Sequence, residues 1–337
     1  MRKYVHHLAF SVTLTFLPIA IFSWWAEPIY GDLTRIGKWA EHDFGPNALH
    51  PTISIKTSGK SLNNANVVVL GDSFSARNLW QSVLSDTTGH VVKTFDYGQN
   101  NCIPSWLRAA IADTSSKFII IETVEREFID RFNHIPLCFR REPVPIEVKA
   151  DAAGNRRPTW PLTFSFSYNT TTAINMARFN FLNEKYSKRF NTVNASLRNE
   201  CAFFSNRRKD RFLYYADDDL KQQWSEQEIH EAISNVLKIQ NEVERSGKKF
   251  IFIIAPDKST VYQTCLLTVN LNSKIPNINE LLIASGVNAP NMVSSFEKEI
   301  NTIVDLYDPD NTHWSEAGYI LAGKTIGHYI PSLLAGH

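Results

Sequence analysis

The sequence predicts an α/β fold, with helices on both faces of a parallel sheet and one long insertion, behind an N-terminal apolar segment. Three observations predict it. Short apolar runs rich in β-branched residues recur along the chain, and such continuous runs suit strands buried on both faces. Helical patterns fall between several of them, which is the alternation of an α/β domain. A chain of 337 residues, 43% hydrophobic and 20% charged, is long and apolar enough for a large core, and a mostly disordered chain is excluded.

The elements follow in order. Residues 1–7 carry Arg2, Lys3, His6 and His7, and no charge appears from Leu8 to Trp25. The run approaches the roughly 20 residues of a spanning helix. Trp24 and Trp25 stand where a cleavable signal wants small residues, and they resemble an interfacial belt. An uncleaved signal anchor over 1–25 is therefore expected, with a cleaved signal as the alternative. Under either, residues 26–337 lie outside the cytoplasm.

Strands are predicted at Asn66–Leu70, Val91–Phe95, Lys117–Glu122, Lys249–Ile254 and Thr302–Leu306. Helices are predicted at Ser75–Ser85, Ser225–Ser246 and Glu316–Ile330. The stretch from about 130 to 224 breaks this rhythm and is too long for an ordinary connection. It reads as an insertion or cap over the sheet. Between Arg140 and Arg211 there are 14 Lys and Arg against 6 Asp and Glu, which suits either an anionic polymer or a solvated basic surface.

Charge and cysteine usage narrow the function classes. Lys and Arg total 35 against 34 Asp and Glu, so a dedicated nucleic-acid binder, usually strongly basic, is not expected. Cys102, Cys138, Cys201 and Cys265 allow three pairings in an oxidising compartment. None forms a CxxC pair, and no His stands at zinc-finger spacing, so neither a metal nor a cofactor is expected.

In open α/β sheets ligands bind beyond the carboxyl ends of the strands. Polar groups follow each predicted strand: Gly71-Asp72-Ser73-Phe74, Tyr97-Gly98-Gln99-Asn100-Asn101, Glu122-Thr123-Val124-Glu125-Arg126, Pro256-Asp257-Lys258, and Asp308 to Trp314. A serine hydroxyl needs a base to take its proton. Ser73 is the candidate nucleophile, or else a helix cap. His313 is the candidate base, and Asp310, three residues earlier, is placed to orient it. Gly98, Asn100 and Asn101 are candidate oxyanion donors, or a plain turn.

GDSF at 71–74, the Gly98/Asn100–Asn101 loop and DNTH at 310–313 resemble the first, second and last blocks of the SGNH/GDSL hydrolase superfamily. With GDLTRIGKWAEHDFGPN at 31–47, ETVERE at 122–127, APDKSTVY at 255–262 and THWSEAGY at 312–319, the chain is similar to SGNH-like periplasmic polysaccharide O-acetyltransferases related to the alginate-acetylation proteins. The resemblance implies a flavodoxin-like three-layer α/β/α sandwich. It implies Ser73 as nucleophile, His313 as base and Asp310 as acid, with Asp308 as a second choice. It departs from the pattern twice. The third hydrolase block, Gly-x-Asn-Asp, is absent, so its Asn donor is missing. Arg126 is a candidate substitute, or else a structural partner of Glu122 or Glu125. Asn311 stands where relatives place the acid. Lys258 is a candidate for binding a sugar carboxylate, or a surface ion pair.

The resemblance also implies acetyl transfer to an exported polysaccharide, with a multi-pass membrane acetyltransferase as partner and the inner membrane as the anchoring site. A deacetylase or esterase shares the same triad. A catalytically inactive polysaccharide-binding or assembly subunit is the third reading.

Overall fold

The computed structural model describes residues 2–25, 30–55, 65–96, 103–112, 115–133, 187–201, 203–267 and 276–335. Among the described residues, four parallel strands form the central sheet: β1 (Val67–Gly71), β2 (Val92–Asp96), β3 (Phe118–Val124) and β7 (Lys249–Ala255), in the order β2-β1-β3-β7. The pairing runs Val67 to Val92 and Phe118, and Phe118 to Lys249.

Side-chain alternation builds three layers. Val67, Val69, Ile120, Ile251 and Ile253 point to one face. There they meet Trp80 and Leu84 of the helix Leu79–Thr88, and Tyr319 and Ile326 of the C-terminal helix (Glu316–Ala335). Val68, Leu70, Ile119, Ile121, Phe250 and Phe252 point to the other face. There they meet Ile229, Ile233 and Val236 of the helix Glu226–Arg245. That helix starts with a capping box, Ser225 with Glu228, which satisfies two otherwise unpaired donors. Each strand residue is thus covered on its own side, which is why the sequence shows continuous apolar runs rather than alternation.

The first four predicted strands stand within a residue or two of their expected bounds. The fifth does not form. Thr302 and Ile303 donate their N–H groups back to the Glu299 carbonyl, and Asp305 has φ +53°. The chain therefore turns here instead of extending, and its apolar residues Ile303 and Leu306 pack as a turn against the core. Only the isolated bridge of Tyr307 with Trp314 remains of sheet pairing.

The described part of the insertion carries its own antiparallel sheet, β4 (Ser187–Arg189), β5 (Thr192–Ser196) and β6 (Arg211–Tyr215). A disulfide joins Cys201 to Cys265, stapling this unit to the segment after β7. Cys102 and Cys138 lie outside the described residues, as does most of the basic stretch.

Residues Arg2–Trp25 form one helix, α1, but the expected membrane anchor is not supported. Among the described residues no helix is long and apolar enough to cross a membrane. The side chains described on α1 end at Leu17. The described part of the uncharged run is therefore about half the length a span needs, and the Trp24 and Trp25 side chains lie outside it.

Candidate active site

The turn after β1 presents Ser73. Gly71 ends the strand where a Cβ would stand 2.2 Å from Ser75 Oγ and 2.9 Å from Glu122 Oε2, so only glycine fits this close approach. Asp72 is buried and ties the turn down. Its Oδ1 accepts from Phe74 N at 3.0 Å. Its Oδ2 accepts from Val124 N at 2.8 Å and from Arg131 Nη1 at 2.6 Å. Glu122 Oε2 accepts from Asp72 N at 3.1 Å and from Ser75 Oγ at 2.6 Å. Burial, and then the neighbouring Asp72 charge, push the Glu122 carboxyl well above its ordinary value. Ser73 alone among these residues is exposed. The helix expected at Ser75 begins later, at Leu79, because residues 73–77 form a turn and Asn78 takes a left-handed φ of +53°, which Asn tolerates.

His313 comes from the opposite end of the chain. Its Nε2 stands 2.9 Å from Ser73 Oγ. Its Nδ1 stands 2.9 Å from Asn311 Oδ1 and 3.5 Å from Asp32 Oδ2. Asn311 Oδ1 also accepts from His313 N at 3.1 Å. With acceptors at Nδ1, the neutral ring carries its proton there, and Nε2 is left free to accept from the serine. The Phe74 ring packs on the imidazole, centroids 4.8 Å apart, and on the buried Trp314.

Asp32 is the residue that sequence reasoning missed. It begins the short helix α2 (Asp32–Gly37). A hydrogen bond from His313, set against partial burial, holds its carboxyl below the ordinary value. Its segment, GDLTRIG, carries a resemblance in the sequence but no role. Nothing local marks Asp32, since its partner sits at the far end of the chain.

Asp310, expected as the acid, is placed differently. It is buried, and its backbone carbonyl accepts from Leu33 N at 2.9 Å. A Cβ on Gly31 would lie 2.2 Å from that carbonyl and 2.5 Å from the Asp310 side chain. Asp310 is thus the floor on which the Asp32 segment docks. Asp308 is also buried; burial and then Glu316 push its carboxyl up to about 7.

Arg126 is held by carboxylates. Nη1 donates to Asp257 Oδ1 at 2.7 Å and lies 3.6 Å from Asp218 Oδ1, while the guanidinium sits over the Tyr215 ring. Burial opposes its charge, but Asp257 and Asp218 more than offset that and raise its pKa. The buried Lys221 joins the same cluster through Glu125 and Asp257. These partners fit the structural role of Arg126 rather than an oxyanion donor, and they are not the Glu122 or Glu125 expected. Lys258 is buried and donates to backbone carbonyls of the His313 loop, so neither a sugar carboxylate nor a surface ion pair describes it. Gly98, Asn100 and Asn101 lie outside the described residues. Among the described residues no group of His, Cys, Asp and Glu could hold a metal ion.

The arrangement can take a proton from Ser73 and stabilise the resulting imidazolium through Asn311 and Asp32. Residues 207–336 match the family model of the SGNH hydrolase-like domain of acetyltransferase AlgX. No curated protein and no solved structure matches the chain. The match takes in β6, β7, Lys258 and the His313 loop, and it leaves Asp32 and Ser73 outside. The likeness to SGNH-like proteins related to alginate acetylation is shown over that part of the chain.

Proposed function

We propose that this protein transfers acetyl groups to hydroxyls of an exported polysaccharide through an acetyl ester on Ser73. The observation that carries the proposal is the 2.9 Å approach of His313 Nε2 to the exposed Ser73 Oγ, with Asn311 and Asp32 at Nδ1. In the first step Ser73 Oγ attacks the acetyl carbonyl of a donor as its proton passes to His313. The imidazolium then returns that proton to the leaving group. In the second step His313 takes a proton from a sugar hydroxyl, whose oxygen attacks the acetyl-serine, and the proton returns to Ser73 Oγ.

The match to an acetyltransferase-type domain favours a sugar over water as acceptor. The Cys201–Cys265 disulfide supports an oxidising, extracytoplasmic compartment, away from cytosolic acetyl-CoA. A multi-pass membrane acetyltransferase that delivers the acetyl group is the partner this reading calls for. Ester hydrolysis is the second reading, because Ser73 is exposed and the same relay activates water.

The test uses an activated aryl acetate with the wild type and Ser73→Ala. Wild type should release acetate and carry an acetyl group on Ser73 by mass spectrometry. Ser73→Ala should lose turnover by about 10⁴-fold or more. A polysaccharide acceptor that speeds turnover and emerges acetylated supports transfer. Turnover indifferent to any glycan supports hydrolysis. A folded wild type with no adduct and no release would sink both.

A further inference from the structure

Lys258 stands three residues beyond the end of β7, at the first position of a four-residue helix, Lys258–Val261. Its Nζ donates to the carbonyls of Asp308 and Pro309, each at 2.9 Å, and of Asn311 at 3.3 Å. An ammonium has three N–H donors, and three carbonyls of one short loop receive them. That loop ends in His313. It closes on itself through Asn311 N to the Asp308 carbonyl at 3.0 Å and Asp308 N to the His313 carbonyl at 3.3 Å. The rings of Phe204 and Phe212 lie 5.4 Å and 5.2 Å from Nζ on the lysine's other contacts.

Three carbonyl dipoles aimed at one point repel each other unless a cation sits there. We infer that Lys258 is a positioning residue, which holds the 308–313 loop in the conformation that presents His313 to Ser73. The route is short. Lys258 binds the Asn311 backbone, and the Asn311 side chain binds both the backbone N and Nδ1 of His313. Burial pushes Lys258 down to about 7, against the pull of Asp310, Asp308, Asp305 and Asp218, so the charged form is held at a cost in solvation and is given up as pH rises through that value. A lysine with no task beyond filling space would be replaced by an apolar side chain without that cost.

The inference rests on the reading of Ser73 and His313 as nucleophile and base. It is tested on the full chain with the aryl acetate, well below the melting temperature of each variant. Lys258→Met should lower kcat roughly 100-fold, the size of loss that a misplacement of about 1 Å produces, with KM changed less than about threefold. Lys258→Gln keeps two N–H donors and should recover part of the loss. Combined with Asn311→Ala, Lys258→Met should cost far less than the product of the two single losses, because both act through His313.

A folded Lys258→Met with kcat within about threefold of wild type, or a loss confined to KM, overturns the inference while leaving the Ser73 reading intact. Additive losses with Asn311→Ala also overturn it. If Lys258→Met does not fold, Lys258→Gln is read by the same criteria. Failure of both to fold assigns the lysine to stability alone and overturns it. A wild type without Ser73-dependent turnover removes the premise, and the inference falls with it.

Discussion

At the scale of single residues, the site turns on what accepts from His313 Nδ1. Asn311 Oδ1 is nearer, but it is neutral; Asp32 Oδ2, at 3.5 Å, carries the charge that an imidazolium needs. Asp32→Asn should therefore lower kcat toward an aryl acetate by about 10² to 10⁴-fold. Asp310→Asn should cost less than about tenfold, because its contribution is to the docking of residues 31–33. Parallel kinetics on the two variants decide between them, and the reverse order would return the acid role to Asp310. The sign of the Asp32 shift fits this assignment. A carboxyl whose folded pKa is lowered adds stability above its unfolded value near 3.9, lost as pH falls through the folded one.

At the scale of elements, two loops meet edge to edge, and each is held from below by buried charge. The Ser73 turn hangs on Asp72, which joins it to the end of β3 and to Arg131. Arg131→Met strips this carboxylate of its cation in a place with almost no solvent. Breaking a buried pair from one side costs about 3–5 kcal/mol, and urea unfolding of the variant should show a loss of that order. Replacing both partners should cost less than the sum of the single changes. The 302–306 segment shows how an element escapes sequence reading. It has the composition of a strand, but its backbone donors turn back to Glu299 and Asp305 adopts a positive φ. Composition does not record that choice, because a short apolar run is buried equally well as a turn.

At the scale of the molecule, the insertion is a scaffold for the site. Leu33, Trp39 and Phe44 of the N-terminal segment pack with Leu213 of β6, and Trp39 Nε1 donates to Thr192 Oγ1 of β5 at 3.2 Å. The small sheet thus carries the segment that brings Asp32 to His313. A second global property is pH response. Asp308 is raised to about 7 by burial and then by Glu316, so its folded state binds a proton more tightly than the unfolded chain does. Such a group costs stability as pH rises from its unfolded value toward the folded one. Asp308→Asn should therefore raise the melting temperature more at pH 8 than at pH 5, in thermal melts of the full chain. An equal gain at both pH values would remove Asp308 from this account.

The layered α/β architecture, the four strands of the central sheet and the candidate residues Ser73 and His313 are legible in the sequence. These are local properties: apolar periodicity marks a strand without knowledge of its neighbours, and each of the two candidate residues stands in a short motif beside a strand end or turn. It also marked Lys258 and Arg126 as unusual polar residues after strands, but not their tasks, since a lysine's partners depend on which carbonyls the fold brings to it. That Asp32 meets Nδ1, that Asp310 serves as its floor, that Arg126 belongs to an ion-pair cluster and that Cys201 bonds Cys265 is visible in the packed chain alone. Each of those is a contact between segments far apart in the chain, set by how sheets and loops pack rather than by any pattern within one segment.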